Sequence, residues 1–466
     1  MAFYGCAEPK NLILILTFVL TGYLGGILIV HEQSRKTACA QGRKTACDQK
    51  NKDAREQKSR DTWEQGKRMD AQQRKSGRWC LAVSAAVLLS FLGYFKYADF
   101  LLENLNRLTG LSIPMLRVVL PVGISFYTFQ IISYLADVYR GDVACQRNFI
   151  DFGAYVMFFP QLIAGPIVRY RDIAGELEKR THQIKAVYDG VTRFLLGLGK
   201  KILIANAMAQ LVDIFRASDQ KSVLFYWIYA AAFTLFIYFD FSGYSDMAIG
   251  LGRIMGFHFP ENFNYPYLSG SITEFWRRWH MTLGGWFRDY VYIPLGGNRV
   301  KKSRWLFHIF IVWMLTGLWH GAAWNFVIWG LLFAVLLIIE KLTGFTEKIP
   351  KAFRHVYVLL VLVFSFVIFN AADMAQAGSD IRGLFGFGNL PLYTAETMYY
   401  LKSYLLTLIA AGIGCTPFPK YVFAAMQRRS PGVFSLVKMV GLVMILLLST
   451  AYLVDGSFNP FLYFRF

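Results

Sequence analysis

The chain has 466 residues, of which 55% are hydrophobic and only 17% are charged, and its mean hydropathy is +0.37. This composition excludes an ordinary soluble domain and indicates an integral membrane protein. The net charge of +19 could suggest a nucleic-acid-binding protein, but the basic residues cluster in short loops between apolar runs, where they set orientation in the membrane. We therefore expect no nucleic acid among its partners.

Apolar runs recur along the whole chain. Those of about 17 to 25 residues, long enough to cross a bilayer as helices, occupy residues 11–30, 79–98, 115–135, 222–239, 324–340, 354–370 and 435–454. Weaker candidates occupy residues 150–168, 191–213, 240–256, 305–319 and 401–415. We predict an all-α polytopic membrane protein with about ten or eleven membrane segments, because a spanning helix satisfies its own backbone donors and acceptors.

The first apolar run, residues 11–30, is predicted to be a retained membrane helix, since it is longer than a signal-peptide core and no small-residue cleavage pattern follows it. Residues 31–78 then hold 14 Lys and Arg against 7 Asp and Glu. This excess of basic residues predicts a solvated cytoplasmic loop, disordered in part or loosely helical. Contact of the loop with anionic lipid is an alternative to a plain linker.

Residues 150–168 are predicted to enter the membrane and return without crossing it. Pro160, Gly165 and Pro166 interrupt this segment, and strict alternation of crossing helices would otherwise place the basic residues 169–185 on the outer side. Such a segment is tolerated only where it is buried in protein or lines a cavity. We therefore expect an internal chamber.

His320 is the first candidate for chemistry, because it follows the apolar residues 305–319 and precedes the apolar run 324–340. An ionisable group in such a context is a functional-site candidate. Removal from water favours the neutral imidazole, which can accept a proton near physiological pH. A core histidine hydrogen-bonded between helices is the alternative interpretation.

His280 is the second candidate. On a helix it would share one face with Trp276, Trp279 and Leu283, which predicts an interfacial helix with one histidine on its apolar side. The functional interpretation makes His280 the second polar group of a buried site. The alternative is an aromatic and arginine anchor at the level of the lipid headgroups.

Asp240 and Asp246 stand at the end of an apolar run, where carboxylates need partners. The arginines of residues 277–288 are the expected partners, and structural pairing is favoured over acid and base catalysis.

The six cysteines show neither a zinc-binding spacing nor a disulfide framework, so we expect no metal site. Nucleophile-elbow, phosphate-loop and dinucleotide-binding motifs are absent from the sequence, which leaves histidine as the reactive residue type placed by a specific context.

Two long motifs, residues 276–299 and residues 317–325, resemble the membrane-bound O-acyltransferase family, and more narrowly its alginate O-acetyltransferase branch. The resemblance extends from about residue 79 to the end of the chain. Shorter matching segments are residues 93–97, 125–130, 159–167, 240–246, 262–267 and 461–466.

Hydropathy and charge thus predict a first membrane helix (1–30) and a basic cytoplasmic loop (31–78), and the resemblance implies that residues 79–466 are a catalytic membrane domain whose helices and re-entrant segments surround a central funnel. It makes His320 and His280 catalytic and predicts a substrate and donor channel lined by Trp276, Trp279, Arg288, Asp289, Trp319 and Asn325. It also implies a bacterial inner-membrane enzyme with no bound cofactor. The acyl donor would be acetyl-CoA, the acceptor an exported polysaccharide, and an extracytoplasmic esterase-like protein the partner, with membrane lipid around the helices.

In the expected mechanism, neutral His320 removes the proton from an acceptor hydroxyl as the hydroxyl attacks the thioester, which contributes about 10² to 10⁴ in rate. His280 would orient a substrate or stabilise the developing oxyanion.

Competing interpretations are D-alanyl transfer to teichoic acid by a related enzyme, a catalytically silent scaffold, and a solute transporter. Broken segments and intramembrane carboxylates suit a transporter, whereas the sequence shows no internal repeat.

Overall fold

The computed structural model describes residues 11–48, 77–455 and 461, with the side chains of residues 36–48 excepted. All regular secondary structure in these residues is helical. The chain divides into two compact units, one made of residues 1–163 and 168–180 and the other of residues 164–167 and 181–466. The central part of the predicted loop, residues 49–76, lies outside the described residues.

The first unit contains seven described α-helices, and a π-helical turn, Gly93–Tyr97, joins α2 to α3. Helix α1 continues beyond the apolar run to Asp48 and packs against α2 and α4. Small residues allow this close approach, since a Cβ on Gly22 would lie 2.5 Å from Ile131 Cγ2. The helices are α1 (Leu12–Asp48), α2 (Arg78–Leu92), α3 (Ala98–Thr109), α4 (Ile124–Arg140), α5 (Phe149–Val156), α6 (Phe159–Leu162) and α7 (Tyr170–Glu178).

The second unit is built around one long buried helix, Val223–Ile254 (α10). Its neighbours include Ile184–Gly199 (α8), Asn206–Ala217 (α9) and Lys351–Asn370 (α16). Its described helices are α8 (Ile184–Gly199), α9 (Asn206–Ala217), α10 (Val223–Ile254), α11 (Ile272–Arg278), α12 (Met281–Phe287), α13 (Lys302–His320), α14 (Trp324–Thr343), α15 (Phe345–Lys348), α16 (Lys351–Asn370), α17 (Met374–Leu384), α18 (Ala395–Gly414), α19 (Phe418–Arg429) and α20 (Pro431–Val454). Two further π-helical turns, Lys200–Ala205 and Arg288–Tyr292, follow α8 and α12.

The all-helical polytopic fold is confirmed, with fewer spans than expected. Seven helical stretches in the described part are long and apolar enough to cross a membrane, and a pair of helices bent by 73°, α18 with α19, would make an eighth. The seven are Leu12–Arg35, Arg78–Thr109, Ile184–Ala217, Val223–Ile254, Trp324–Thr343, Lys351–Asn370 and Pro431–Val454.

The apolar run 115–135 is not a single helix. Its first part is irregular and helix α4 begins only at Ile124, because Pro121 disfavours the preceding turn and Gly123 adopts a left-handed φ of 77°. The Asp99 carboxylate accepts hydrogen bonds from three backbone N–H groups of residues 116–118, which satisfies part of this irregular stretch. The interrupted segment 150–168 contains two helices of eight and four residues, each too short to span a bilayer.

Two predicted segments, 222–239 and 240–256, form the single 32-residue helix α10. The predicted segment 305–319 is helical, as α13, without being among the candidate spans. Helices α13 and α14 approach closely, since a Cβ on Gly317 would lie 2.3 Å from the carbonyl oxygen of Phe326. This contact fixes the end of α13, where His320 lies.

Candidate active site

His280 lies at a break between two short helices. Helix α11 ends at Arg278, Trp279 is extended, and His280 adopts the left-handed region at φ 42° and ψ 52° before α12 begins at Met281. The prediction of one continuous helix carrying Trp276, Trp279, His280 and Leu283 on one face is therefore wrong. A left-handed non-glycine residue costs about 1–3 kcal/mol, so the surrounding structure must stabilise it.

Residues 262–264 supply that stabilisation. The N–H of Asn264 donates to Arg278 O (2.9 Å), and the N–H of Met281 donates to Asn262 O (3.0 Å). The side-chain oxygen of Asn262 lies 3.0 Å from His280 Nδ1 and accepts a hydrogen bond from Thr282 Oγ1 (2.8 Å). Hydrogen bonds from a distant segment, rather than local helix propensity, determine the conformation around His280.

His320 is the last residue of α13 and is 4% exposed. Aromatic rings surround it: the centroids of Trp319 and Trp329 lie 5.0 Å from its own, and that of Phe369 lies 5.3 Å away. The interplanar angles are close to perpendicular, the edge-to-face arrangement that aromatic pairs prefer. Trp319 also contacts His280, at 5.7 Å between centroids, and so links the two histidines.

A cavity of about 850 Å³ reaches His280. Helix α13 lines it with a stripe of side chains at three- and four-residue spacing, and the last of these is Thr316. His320 is the next position of that stripe, one helical turn beyond the wall. The lining residues are Thr273, Trp276, Arg277, His280, Met281, Leu283, Gly284, Gly285, Phe287, Arg288, Tyr292, Trp305, Ile309, Val312, Trp313, Thr316, Leu337 and Lys341.

The predicted channel residues divide into three groups. Trp276 and Arg288 line the cavity, and Arg288 forms an ion pair with Asp289 (Nε to Oδ1, 2.7 Å). Trp319 packs between the histidines, as described above. Trp279 and Asn325 are buried in the core: Trp279 stacks on Phe275, and Asn325 donates to the carbonyl of Ala371 (2.8 Å).

Asp240 and Asp246 form ion pairs, but with partners other than those predicted. Asp240 pairs with Lys201 (2.6 Å), and Asp246 pairs with Lys200 (2.6 Å) and Arg193 (2.8 Å). The expectation that the arginines of residues 277–288 would pair with them is wrong. Helices α8 and α10 touch backbone to backbone at Gly197 and Gly243, which brings Arg193 of α8 and the two lysines that follow this helix onto α10.

Burial lowers the pKa of His280 well below its ordinary value, and the nearby His320 ring shifts it in the same direction. His280 is therefore neutral at physiological pH, and it can accept a hydrogen bond or a proton from a group in the cavity.

The comparisons with known proteins agree with this architecture. The model of the membrane-bound O-acyltransferase family matches residues 145–375, a range that includes both histidines. A probable alginate O-acetylase, AlgI, of Pseudomonas putida is 41% identical over 411 residues, covering 84% of each chain. The chain belongs to the membrane-bound O-acyltransferase family.

Two other members of this family are similar over shorter stretches. A peptidoglycan O-acetyltransferase of Helicobacter pylori is 34% identical over 337 residues, which is 65% of this chain and 64% of that protein. A teichoic acid D-alanyltransferase of Bacillus subtilis is 31% identical over 265 residues, which is 53% of this chain and 67% of that protein. The chain is thus a multi-pass membrane O-acyltransferase, which excludes the transporter and silent-scaffold interpretations.

Asn262 and Thr282 are the polar residues beside His280 that the sequence did not single out. Both belong to segments quoted for the family resemblance, but a lone amide and a lone hydroxyl predict no chemistry by themselves. The sequence feature that could have identified Asn262 is its context, since two asparagines two residues apart precede the polar segment that carries His280.

Within residues 11–48, 77–455 and 461, the structure contains no cluster of three or more His, Cys, Asp or Glu side chains that could hold a metal ion.

Proposed function

We propose that this membrane O-acyltransferase moves an acetyl group from acetyl-CoA toward a hydroxyl of an exported bacterial polysaccharide, with His320 as general base. The observation that carries the proposal is a large cavity lined by one of two neighbouring buried histidines. The names of two similar proteins, an alginate O-acetylase and a peptidoglycan O-acetyltransferase, support acetyl as the group and a glycan as the acceptor.

The cavity wall suits a thioester with a phosphate-bearing tail. Arg277, Arg288 and Lys341 line it, and such cations bind phosphate oxygens through charge-assisted hydrogen bonds. Basic residues at positions 299, 301, 302 and 304 follow the cavity-lining segment in sequence, which by the positive-inside rule favours a cytoplasmic opening. Acetyl-CoA would enter there and place its thioester near His280.

In the proposed step, the acceptor oxygen attacks the thioester carbonyl, a C–O ester bond forms and the C–S bond breaks. His320 takes the hydroxyl proton and returns it to the thiolate of coenzyme A. The aromatic rings around His320 exclude water, which favours transfer over hydrolysis. We place the enzyme in the bacterial inner membrane, where an extracytoplasmic esterase-like partner completes transfer to the glycan.

Mass spectrometry of cell-surface glycans from cells with and without this chain tests the proposal. We expect acetyl esters on one exported polymer to disappear when the chain is absent and to return when it is supplied. D-alanyl esters that depend on the chain would instead support the second candidate function, which the similarity to the teichoic acid D-alanyltransferase favours. A glycan ester content independent of the chain would contradict both.

A further inference from the structure

The hydrogen bonds around Asn262 fix the direction in which each group donates. The backbone N–H of Ile167 donates to Thr282 Oγ1 (3.0 Å), so the proton of that hydroxyl is directed to Asn262 Oδ1 (2.8 Å). The backbone N–H of Thr282 also donates to Oδ1 (3.4 Å), while Asn262 Nδ2 donates to Ser245 Oγ (3.1 Å). The atom of Asn262 beside His280 is therefore an oxygen, which accepts hydrogen bonds and cannot donate them.

This direction determines where His280 carries its proton. His280 Nδ1 lies 3.0 Å from Asn262 Oδ1, so Nδ1 must be the protonated nitrogen. A neutral imidazole carries one ring proton, which leaves Nε2 with a lone pair. Nε2 is buried and has no hydrogen-bond partner among the residues that the structure describes, and the His280 side chain lines the cavity.

The ring is also held in place by packing. Phe241 meets it at 4.6 Å between centroids with an interplanar angle of 90°, and Trp319 covers it at 5.7 Å. Together with the bond to Asn262, these contacts oppose rotation of the ring that would exchange its two nitrogens. The lone pair on Nε2 is therefore fixed in the ring of a residue that lines the cavity.

We propose that Asn262 is a positioning residue that holds His280 in the Nδ1–H tautomer, so that His280 meets a reactant in the cavity as a hydrogen-bond acceptor. In this tautomer Nε2 has no proton to donate, so neutral His280 does not stabilise an oxyanion. The group it orients must donate a hydrogen bond to Nε2; because the proposed step gives the proton of the acceptor hydroxyl to His320, the donor that fits is an amide N–H of the coenzyme A arm. This last step rests on the proposed function, whereas the assignment of the tautomer does not.

The charges that face His280 favour its neutral form. His320 approaches from α13, and the cations Arg277, Arg288 and Lys341 line the same cavity from α11, the π-helical turn and α14, together with the hydroxyl of Tyr292. Cations oppose a second proton on the imidazole, as does burial. No carboxylate lines the cavity among the described residues.

Two substitutions of Asn262 distinguish its hydrogen bond to His280 from a role in packing alone. Asn262→Asp keeps an oxygen beside Nδ1 and adds a negative charge, which raises the pKa of His280. We expect the acid limb of kcat/KM against pH to move upward by about one unit or more, with the rate on the alkaline side within about tenfold of the unmodified enzyme. Asn262→Leu fills similar space without an acceptor, and we expect a loss of roughly tenfold or more at every pH.

Asn264→Asp is the matched control, because it makes the same charge change two residues away on an exposed side chain. It should leave the acid limb unchanged. An acid limb of Asn262→Asp that coincides with that of the unmodified enzyme, or equal rates for the Asp and Leu variants, would overturn the proposal.

Nitrogen-15 NMR of the histidine-labelled protein measures the tautomer without any need for activity. The signals of His280 are identified as those missing from a His280→Gln variant. We expect a protonated Nδ1 and an unprotonated Nε2, and the opposite pattern would contradict the assigned tautomer of His280. If the tautomer is as inferred and no acetyl transfer is detected, the proposed function fails while the role of Asn262 stands.

Discussion

The two histidines of the site are held in different ways. His280 sits in a left-handed turn and is fixed by hydrogen bonds from Asn262 and its neighbours. His320 ends a regular helix and is enclosed by the rings of Trp319, Trp329 and Phe369. The bond to Asn262 determines which nitrogen of His280 carries a proton, and the rings around His320 determine where that imidazole lies and how far water is excluded from it.

The difference assigns separate tasks to the two residues. His280 stands in the cavity wall with a defined acceptor atom, so it can orient an arriving group. His320 lies one helical turn beyond the cavity-lining Thr316, in an aromatic enclosure that excludes water and would protect the thioester from hydrolysis during the proposed proton transfer. If the comparison is right, substitution of Asn262 changes the tautomer and the pKa of His280, and substitution of the rings around His320 changes the rate of transfer.

The largest effect is expected for His320→Ala, which removes the proposed base. Acetyl transfer from acetyl-CoA by the purified protein should fall by roughly 100-fold or more. His308→Ala is a matched control, because His308 is a buried histidine of the same helix that does not line the cavity, and we expect its rate within a few-fold of the unmodified enzyme. Equal activity of His320→Ala and the control would refute the base assignment.

The sequence predicted the fold well where apolar runs are uninterrupted, as in α14, α16 and α20. The prediction failed where the length and composition of an apolar run did not match the helix that the backbone forms. The run 115–135 is predominantly apolar, but Pro121 and Gly123 prevent one continuous helix. The opposite error occurred at residue 240, where a carboxylate suggested the end of a segment although α10 continues through it.

The reason for the second error also explains what was missed at the site. Asp240 is tolerated inside α10 because Lys201 pairs with it, and that partner lies 39 residues earlier in the chain. Likewise, the spacing of Trp276, Trp279 and His280 fits a helix, and only pairing with residues 262–264 breaks it. Both features depend on contacts between distant segments, which local periodicity does not encode. The pair of histidines could be predicted from residue type and context, and their different surroundings could not.

A smaller effect is expected from Gly317→Ala, which tests whether helix packing places His320. The added Cβ would lie 2.3 Å from the carbonyl oxygen of Phe326, so α13 and α14 must move apart. We expect the free energy of unfolding to fall by about 1–3 kcal/mol and the transfer rate to decrease. The acid limb governed by His280 should stay in place.

Gly441→Ala provides the control for this change, since a Cβ there meets no atom within 4 Å and the residue lies within α20. Helix propensity predicts a neutral or slightly stabilising effect, at most about 1 kcal/mol. Unfolding of both variants can be followed by circular dichroism in detergent. Equal stability of the two variants would show that the contact between α13 and α14 adapts without cost.

The smallest effect is expected from Phe369→Leu, which removes one ring from the enclosure of His320 and keeps an apolar side chain. An edge-to-face aromatic contact contributes about 0.5–1.5 kcal/mol, so we expect kcat to fall by about two- to tenfold. Phe364→Leu is the control: Phe364 lies on the same helix and stacks on Phe385, at 5.7 Å, away from both histidines, and its loss should not change kcat. An unchanged kcat in Phe369→Leu, or an equal loss of kcat in Phe364→Leu, would contradict the role of this ring in enclosing His320.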